Sequence, residues 1–129
     1  YFDISADGAW LAWLSAEETI SIWNLQEDRL ERELSGLGEG CCSQVLLTPD
    51  GDSLVTLAGQ TATVWDLVTG SEVYSRPDVQ AVHVSPDGSR LAFESGVGFR
   101  VSLWDRRTRQ DVRQLTGFET AAPLYGVRF

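Results

Sequence analysis

Apolar and polar residues alternate with a period of two along short stretches of this chain, and the pattern returns three times. Phe2 and Ile4, Val45 and Leu47, and Val82 and Val84 are the apolar positions of the first stretch in each copy. Leu11, Leu54 and Leu91 share a column in the second stretch, followed on the same side by Trp13, Thr56 and Phe93. Between them, Ala12, Val55 and Ala92 put small apolar groups on the opposite side. A third stretch carries Ile20 and Ile22, Ala62 and Val64, and Val101 and Leu103, with Ser21, Thr63 or Ser102 inside each pair. A fourth lies near Leu30–Leu34, Glu72–Ser75 and Val112–Leu115. Successive side chains of a strand point to opposite faces, so this alternation, rich in β-branched and aromatic residues, predicts strands. The expectation is an all-β chain whose units are each four short antiparallel strands.

Two landmarks punctuate the strands. Ser5-Ala6-Asp7-Gly8, Thr48-Pro49-Asp50-Gly51 and Ser85-Pro86-Asp87-Gly88 are one turn written three times, with glycines 43 and then 37 residues apart. Proline presets φ for a tight turn, glycine permits positive φ, and aspartate bonds its own backbone. Trp23-Asn24, Trp65-Asp66 and Trp104-Asp105 form the second landmark, 42 and then 39 residues apart. From glycine to tryptophan the separations are 15, 14 and 16 residues, which puts the insertions in the hairpin between the second and third strands. Strand register resists insertion and loops accept it. The chain divides into repeats at about 1–40, 41–79 and 80–121, with the first strand of a fourth at 122–129, where Val127 and Phe129 resume the pattern.

Strand, Ser-Pro-Asp-Gly, strand, hairpin, and a strand ending in Trp-Asp, at about 40 residues per unit, resembles the WD repeat. The resemblance covers essentially the whole chain. It implies a β-propeller whose blades are four-stranded antiparallel sheets. It further implies a non-enzymatic role in protein–protein interaction, as a scaffold or sensor domain of a larger multidomain protein. The alternative from a different class is a propeller lid or substrate-gating domain accompanying a hydrolase, with its catalytic motifs in flanking sequence. WD repeats often carry Gly-His before the first strand; here Gly36–Gly40, Arg76-Pro77-Asp78 and Thr116-Gly117-Phe118 contain no histidine. The buried network that such a histidine joins is therefore broken, with only the hydroxyl residue and the tryptophan left. Three blades do not close a ring of roughly four to eight. With no methionine in the chain, the expectation is an arc of a larger propeller, completed by blades in cis or by self-association.

Charge narrows the partners. The net charge is −9, and residues 1–50 contribute −8 of it, from ten acids and two arginines. Such a surface repels phosphate, which argues against nucleic acid and anionic membranes; it reads either as a solvated, solubilising surface or as one that favours a basic protein partner. No window reaches the roughly 18 apolar residues of a membrane span. The only cysteines, Cys41 and Cys42, are adjacent and read as two reduced thiols, which suits a cytoplasmic setting.

No catalytic, cofactor or metal residue is assigned. His83 is the single histidine and shares a column with Asp3, Leu46 and Arg128, which leaves it without the partners a metal site or triad needs. Asp7, Asp50 and Asp87 read as turn residues. No Gly-x-Ser-x-Gly elbow and no phosphate loop occurs. Trp10 shares its column with Ser53 and Arg90, so it reads either as an outward-facing interface anchor or as a residue packed against a neighbouring blade. Glu17, Glu18, Gln60 and Phe99 in the hairpin loops, and Phe118 before the next unit, are the other candidate partner-binding residues. Arg106, Arg107 and Arg109, with Arg113 nearby, read either as a solvated turn or as a contact for an acidic partner.

Overall fold

The computed structural model describes residues 1–35, 42–96 and 100–116. Among them are twelve strands: β1 (Phe2–Ile4), β2 (Trp10–Leu14), β3 (Ile20–Asn24), β4 (Arg29–Leu34), β5 (Cys42–Leu47), β6 (Ser53–Ala58), β7 (Thr61–Asp66), β8 (Ser71–Arg76), β9 (Val79–Val84), β10 (Arg90–Ser95), β11 (Arg100–Asp105) and β12 (Gln110–Leu115). They form three four-stranded sheets, β1 to β4, β5 to β8 and β9 to β12, each with its strands in chain order. Every pairing is antiparallel. The second, third and fourth strands of each unit stand where the alternation predicts them. The proposed strand at 122–129, with Val127 and Phe129, lies outside the described residues, as does Cys41.

Register repeats with the sequence. Ile4 faces Leu11, which faces Trp23. Leu47, Leu54 and Trp65 make the same row in the second sheet, and Val84, Leu91 and Trp104 in the third. Each sheet carries a bulge between its third and fourth strands, immediately before the landmark tryptophan. The turn that follows ends on a positive φ at equivalent positions, Asp28 (50°), Gly70 (72°) and Arg109 (57°).

The core is two slabs, one between each pair of neighbouring sheets. In the first, Ala12, Ile20, Ile22 and Leu34 pack against Cys42, Val45, Leu47 and Leu54. In the second, Val55, Leu57, Ala62 and Val64 pack against Val79, Val82, Leu91, Phe93 and Trp104. The small residues of the Ala12 and Val55 column let the sheets approach. Each buried Val, Leu or Ile is worth about 1.5–3 kcal/mol. Tyr74 stacks on Trp104 at 4.7 Å between centroids and closes the outer end of the second slab.

The same face of the first sheet is uncovered. Phe2 is 69% exposed, Ile4 49% and Trp13 53%, whereas their counterparts Val45, Leu47 and Thr56 are buried. The difference is position in the row of sheets, not chemistry: no described sheet precedes the first.

Polar side chains clamp neighbouring sheets at both radii. At the inner strands, the Leu47 N–H donates to Asp3 Oδ2 (2.7 Å) and the Val82 N–H to Gln44 Oε1 (2.9 Å). At the outer strands, Arg32 donates to the carbonyls of Val68 and Thr69, and Arg76 pairs with Asp111. Backbone groups of inner and outer edge strands that have no fifth strand to pair with need partners, and at the inner strand these side chains supply them.

Candidate functional site

A meander of four strands sorts its connections onto two edges. The turns after the first and third strands lie on one edge, and the hairpins after the second strand, with the links between sheets, lie on the other.

On the hairpin edge, residues 15–19 join β2 to β3. The Ser15 N–H donates to the Thr19 carbonyl (2.9 Å), and the Ser15 hydroxyl accepts from the N–H groups of Glu17 (3.2 Å) and Thr19 (3.4 Å). Glu18 sits at φ 58°. Both glutamates are therefore held outward on a closed turn, and both are exposed. Gly59 and Gln60 join β6 to β7, with Gly59 at φ 59°. The Gln60 carbonyl accepts from the Val79 N–H of the third sheet (2.9 Å), so this hairpin leans on the next blade. Gln60 lines a small cleft with Asp78, Gln80 and Gly96. Glu17 and Glu18 thus lie on one blade and Gln60 on the next. Phe99 and Phe118 lie outside the described residues.

On the turn edge, one bonding scheme is built three times. The Ser5 hydroxyl donates to Asp7 Oδ1 (2.6 Å), the Ala9 N–H donates to the same oxygen (3.0 Å), and the Trp10 N–H donates to the Ser5 hydroxyl (2.9 Å). Thr48, Asp50, Asp52 and Ser53 repeat it. Ser85, Asp87, Ser89 and Arg90 repeat it again. Gly8, Gly51 and Gly88 adopt φ near 70°, the left-handed value that only glycine takes at little cost. These donors favour the ionised form. Asp7 is lowered from its ordinary value by the Ser5 hydroxyl and the Ala9 N–H, and Asp87 is lowered to about 2 by Ser85 and Ser89. Asn24, Asp66 and Asp105 do the same work at the other turn, each accepting backbone N–H groups two or three residues on.

The tryptophans differ by environment. Trp104 is 1% exposed, and its Nε1 has no hydrogen-bond partner among the described residues. Trp65 donates to the Thr56 hydroxyl. Trp23 is half-buried on the uncovered face of the first sheet. Of its two readings, Trp10 takes the packing against a neighbouring blade. It is half-buried, and its indole lies over Gly51 so closely that a Cβ there would overlap the ring. It stands on the same side of β2 as Ala12, facing the second sheet, whose Pro-Asp-Gly turn covers it.

Arg106 is not a solvated turn residue. Its guanidinium reaches back to the second sheet and binds Asp50, Thr48 and Ser53. That guanidinium is the main reason the Asp50 carboxyl is held far below the usual carboxylate range, and Asp50 in turn raises Arg106. Arg107 and Arg109 are exposed. His83 Nε2 lies 3.0 Å from Oε1 of Glu94, a buried carboxylate two strand positions away on the neighbouring strand. Neither pairing was legible in the columns, because position 106 aligns with two leucines and position 83 with residues of every polarity.

No protein-family model matches the chain. Over 84 residues, 60% of its length, it is 39% identical to human WD repeat-containing protein 90, and the match covers 5% of that protein. Over 94 residues, 68% of its length, it is 29% identical to an uncharacterized WD repeat-containing protein of Synechocystis, covering 26% of it. Those likenesses join a structure of three meander sheets with Asp-Gly turns and Trp-Asn or Trp-Asp landmarks in register. The chain is similar to WD-repeat proteins, and its three sheets have the form of propeller blades. The matched segment spans a twentieth and about a quarter of the lengths of these two relatives. Among the described residues of these blades, no helix is long and apolar enough to cross a membrane.

Proposed function

We propose that these blades are a non-enzymatic protein-interaction scaffold or sensor domain of a larger protein, engaging a basic partner through the hairpin edge. The observation that carries the reading is the closed 15–19 turn. It fixes two exposed carboxylates, Glu17 and Glu18, on a blade that inter-sheet clamps hold rigid. A rigid scaffold with exposed loops presents a preorganised surface, which lowers the cost of binding. The acidity of the first 50 residues steers a cationic protein toward the first blade and repels nucleic acid and anionic lipid. We place the protein in the cytoplasm, in keeping with its two adjacent cysteines.

The same reading assigns the uncovered face of the first blade to another blade, in cis or from a second copy. In both described slabs the corresponding row is covered by the small and β-branched face of the preceding sheet. An exposed row of Phe2, Ile4 and Trp13 is the surface such a face would bury. Repeats 1–40, 41–79 and 80–121 are then consecutive blades of that ring.

The test is a comparison of proteins cross-linked to the wild-type chain in cells with those cross-linked to Glu17→Arg/Glu18→Arg and, as a control on the other edge, Asp28→Arg. Loss of a basic partner in the hairpin variant alone supports the reading. An unchanged set in the hairpin variant overturns it. Light scattering of the chain separates the two sources of the covering blade, since a dimer identifies a second copy.

A further inference from the structure

The two blade junctions are built differently at the turn edge. At the second junction, Arg106 fills the recess between the sheets and lies on Asp50, Thr48 and Ser53. At the first junction, Leu67 holds the position of Arg106 and Trp10 the position of Ser53. No internal guanidinium enters there from the next blade's turn. What remains is a groove of about 260 Å³ lined by Trp10, Ile22, Leu67, Val68, Glu31 and Asp52. Val68 is 72% exposed, so the apolar wall is open to solvent.

We infer that this groove is a docking site for an arginine or lysine side chain of a protein partner. It lies on the edge opposite the hairpins and goes beyond the scaffold reading. The aliphatic part of such a side chain packs on Ile22, Leu67 and Val68, and its cation meets the Trp10 indole, Glu31 and Asp52. Cations are attracted to the face of an indole, and long cationic side chains bury their stems on apolar surface while the charge stays at the rim. The charges at the groove are of both signs. Arg32 also lines it and keeps its positive charge, held at the carbonyls of Val68 and Thr69, so the incoming cation is placed on the Glu31 and Asp52 side. Arg29 bridges Glu27 and Glu31 on the exposed outer strand, with more than a third of each side chain open to water. Asp52 makes no ion pair among the described residues, although its charge acts on Arg106, and Asp7, the counterpart of Asp50, makes none either. The second junction shows the chemistry that this edge accommodates, a guanidinium among turn hydroxyls and a carboxylate, and the first junction offers the space without the arginine.

The experiment is a titration of the chain, followed through its indole N–H signals, with acetyl-Gly-Arg-Gly-amide, with the lysine peptide, and with the uncharged norleucine peptide. The Trp10 signal is assigned by its absence in Trp10→Phe. The expected result is a saturable shift of the Trp10 signal alone with the arginine or lysine peptide, in about the millimolar range for so small a ligand. Binding should weaken about fivefold in Glu31→Gln/Asp52→Gln and weaken further as salt rises. Melting curves confirm that the variants remain folded. Absence of a saturable Trp10 shift overturns the inference. So does an equal response to norleucine, or full binding by the double variant. None of these outcomes bears on the hairpin edge, so the scaffold reading stands or falls separately.

Discussion

The indole nitrogen of Trp65 donates a 3.0 Å hydrogen bond to the hydroxyl of Thr56, and one blade further on Trp104 has Phe93 in the place of that threonine. The first arrangement satisfies the indole; the second surrounds it with rings. Phe93 meets Trp104 edge-on at 6.4 Å and Tyr74 stacks on it. Thr56→Val keeps the shape and deletes the acceptor, so a loss of about 1 kcal/mol is expected in urea unfolding. Phe93→Thr would offer Trp104 an acceptor but remove a buried ring. The cavity term, about 3 kcal/mol or more, wins, and that variant should be the less stable of the two.

Gly8 and Gly51 have nearly the same φ, 70° and 72°, and different surroundings. A Cβ on Gly8 meets nothing within 4 Å, while one on Gly51 overlaps Trp10. Gly8→Ala should cost only the backbone strain, about 1 kcal/mol. Gly51→Ala should cost that and the displacement of the indole, about 1–3 kcal/mol more. Thermal unfolding of the two variants checks the order, and equal losses would mean that Trp10 moves freely.

Asp28 and Arg109 occupy the left-handed position that Gly70 fills in the middle blade. Asp28→Gly and Arg109→Gly are expected to raise stability by about 0.5–1 kcal/mol each by relieving that strain, less the entropy glycine adds to the unfolded chain. Gly70→Ala should do the reverse. Differential scanning calorimetry of the three variants reads the sign directly.

Asp50 and Asp87 have lowered pKa values in the folded chain, Asp87 to about 2 from 3.8. The unfolded chain then binds protons at a higher pH than the folded one. Their contribution to stability is complete above 3.8 and is lost as pH falls toward 2 for Asp87 and lower still for Asp50. Arg106→Leu, which copies Leu67, should lower stability at neutral pH by about 1 kcal/mol, a figure discounted for the partial exposure of the pair. It should also flatten the fall in melting temperature between about pH 5 and pH 2.5. A variant as acid-sensitive as the wild type would mean that Arg106 does not set the Asp50 titration.

The repeat, the four-strand unit and the landmark columns were legible because each is local. A strand's period, a Pro-Asp-Gly turn and an Asx cap are decided within a few residues, and three copies made the register visible. Relations between blades were not. For Trp10 the polar column mates left an outward anchor and packing on a neighbouring blade both open, and the structure takes the second, because the surface it covers is made by a turn 41 residues away. Arg106 aligned with leucines and gave no sign of Asp50, 56 residues earlier.

The amino-acid order by itself determined which residues form strands, where they turn, and which side of each strand is apolar, since backbone sterics and burial periodicity act along the chain. Only the tertiary structure decided which apolar rows are covered. Val45 and Phe2 occupy the same column, and one is buried while the other is exposed. Burial belongs to the neighbour that covers the row, and in a row of stacked sheets that neighbour is supplied by the preceding repeat.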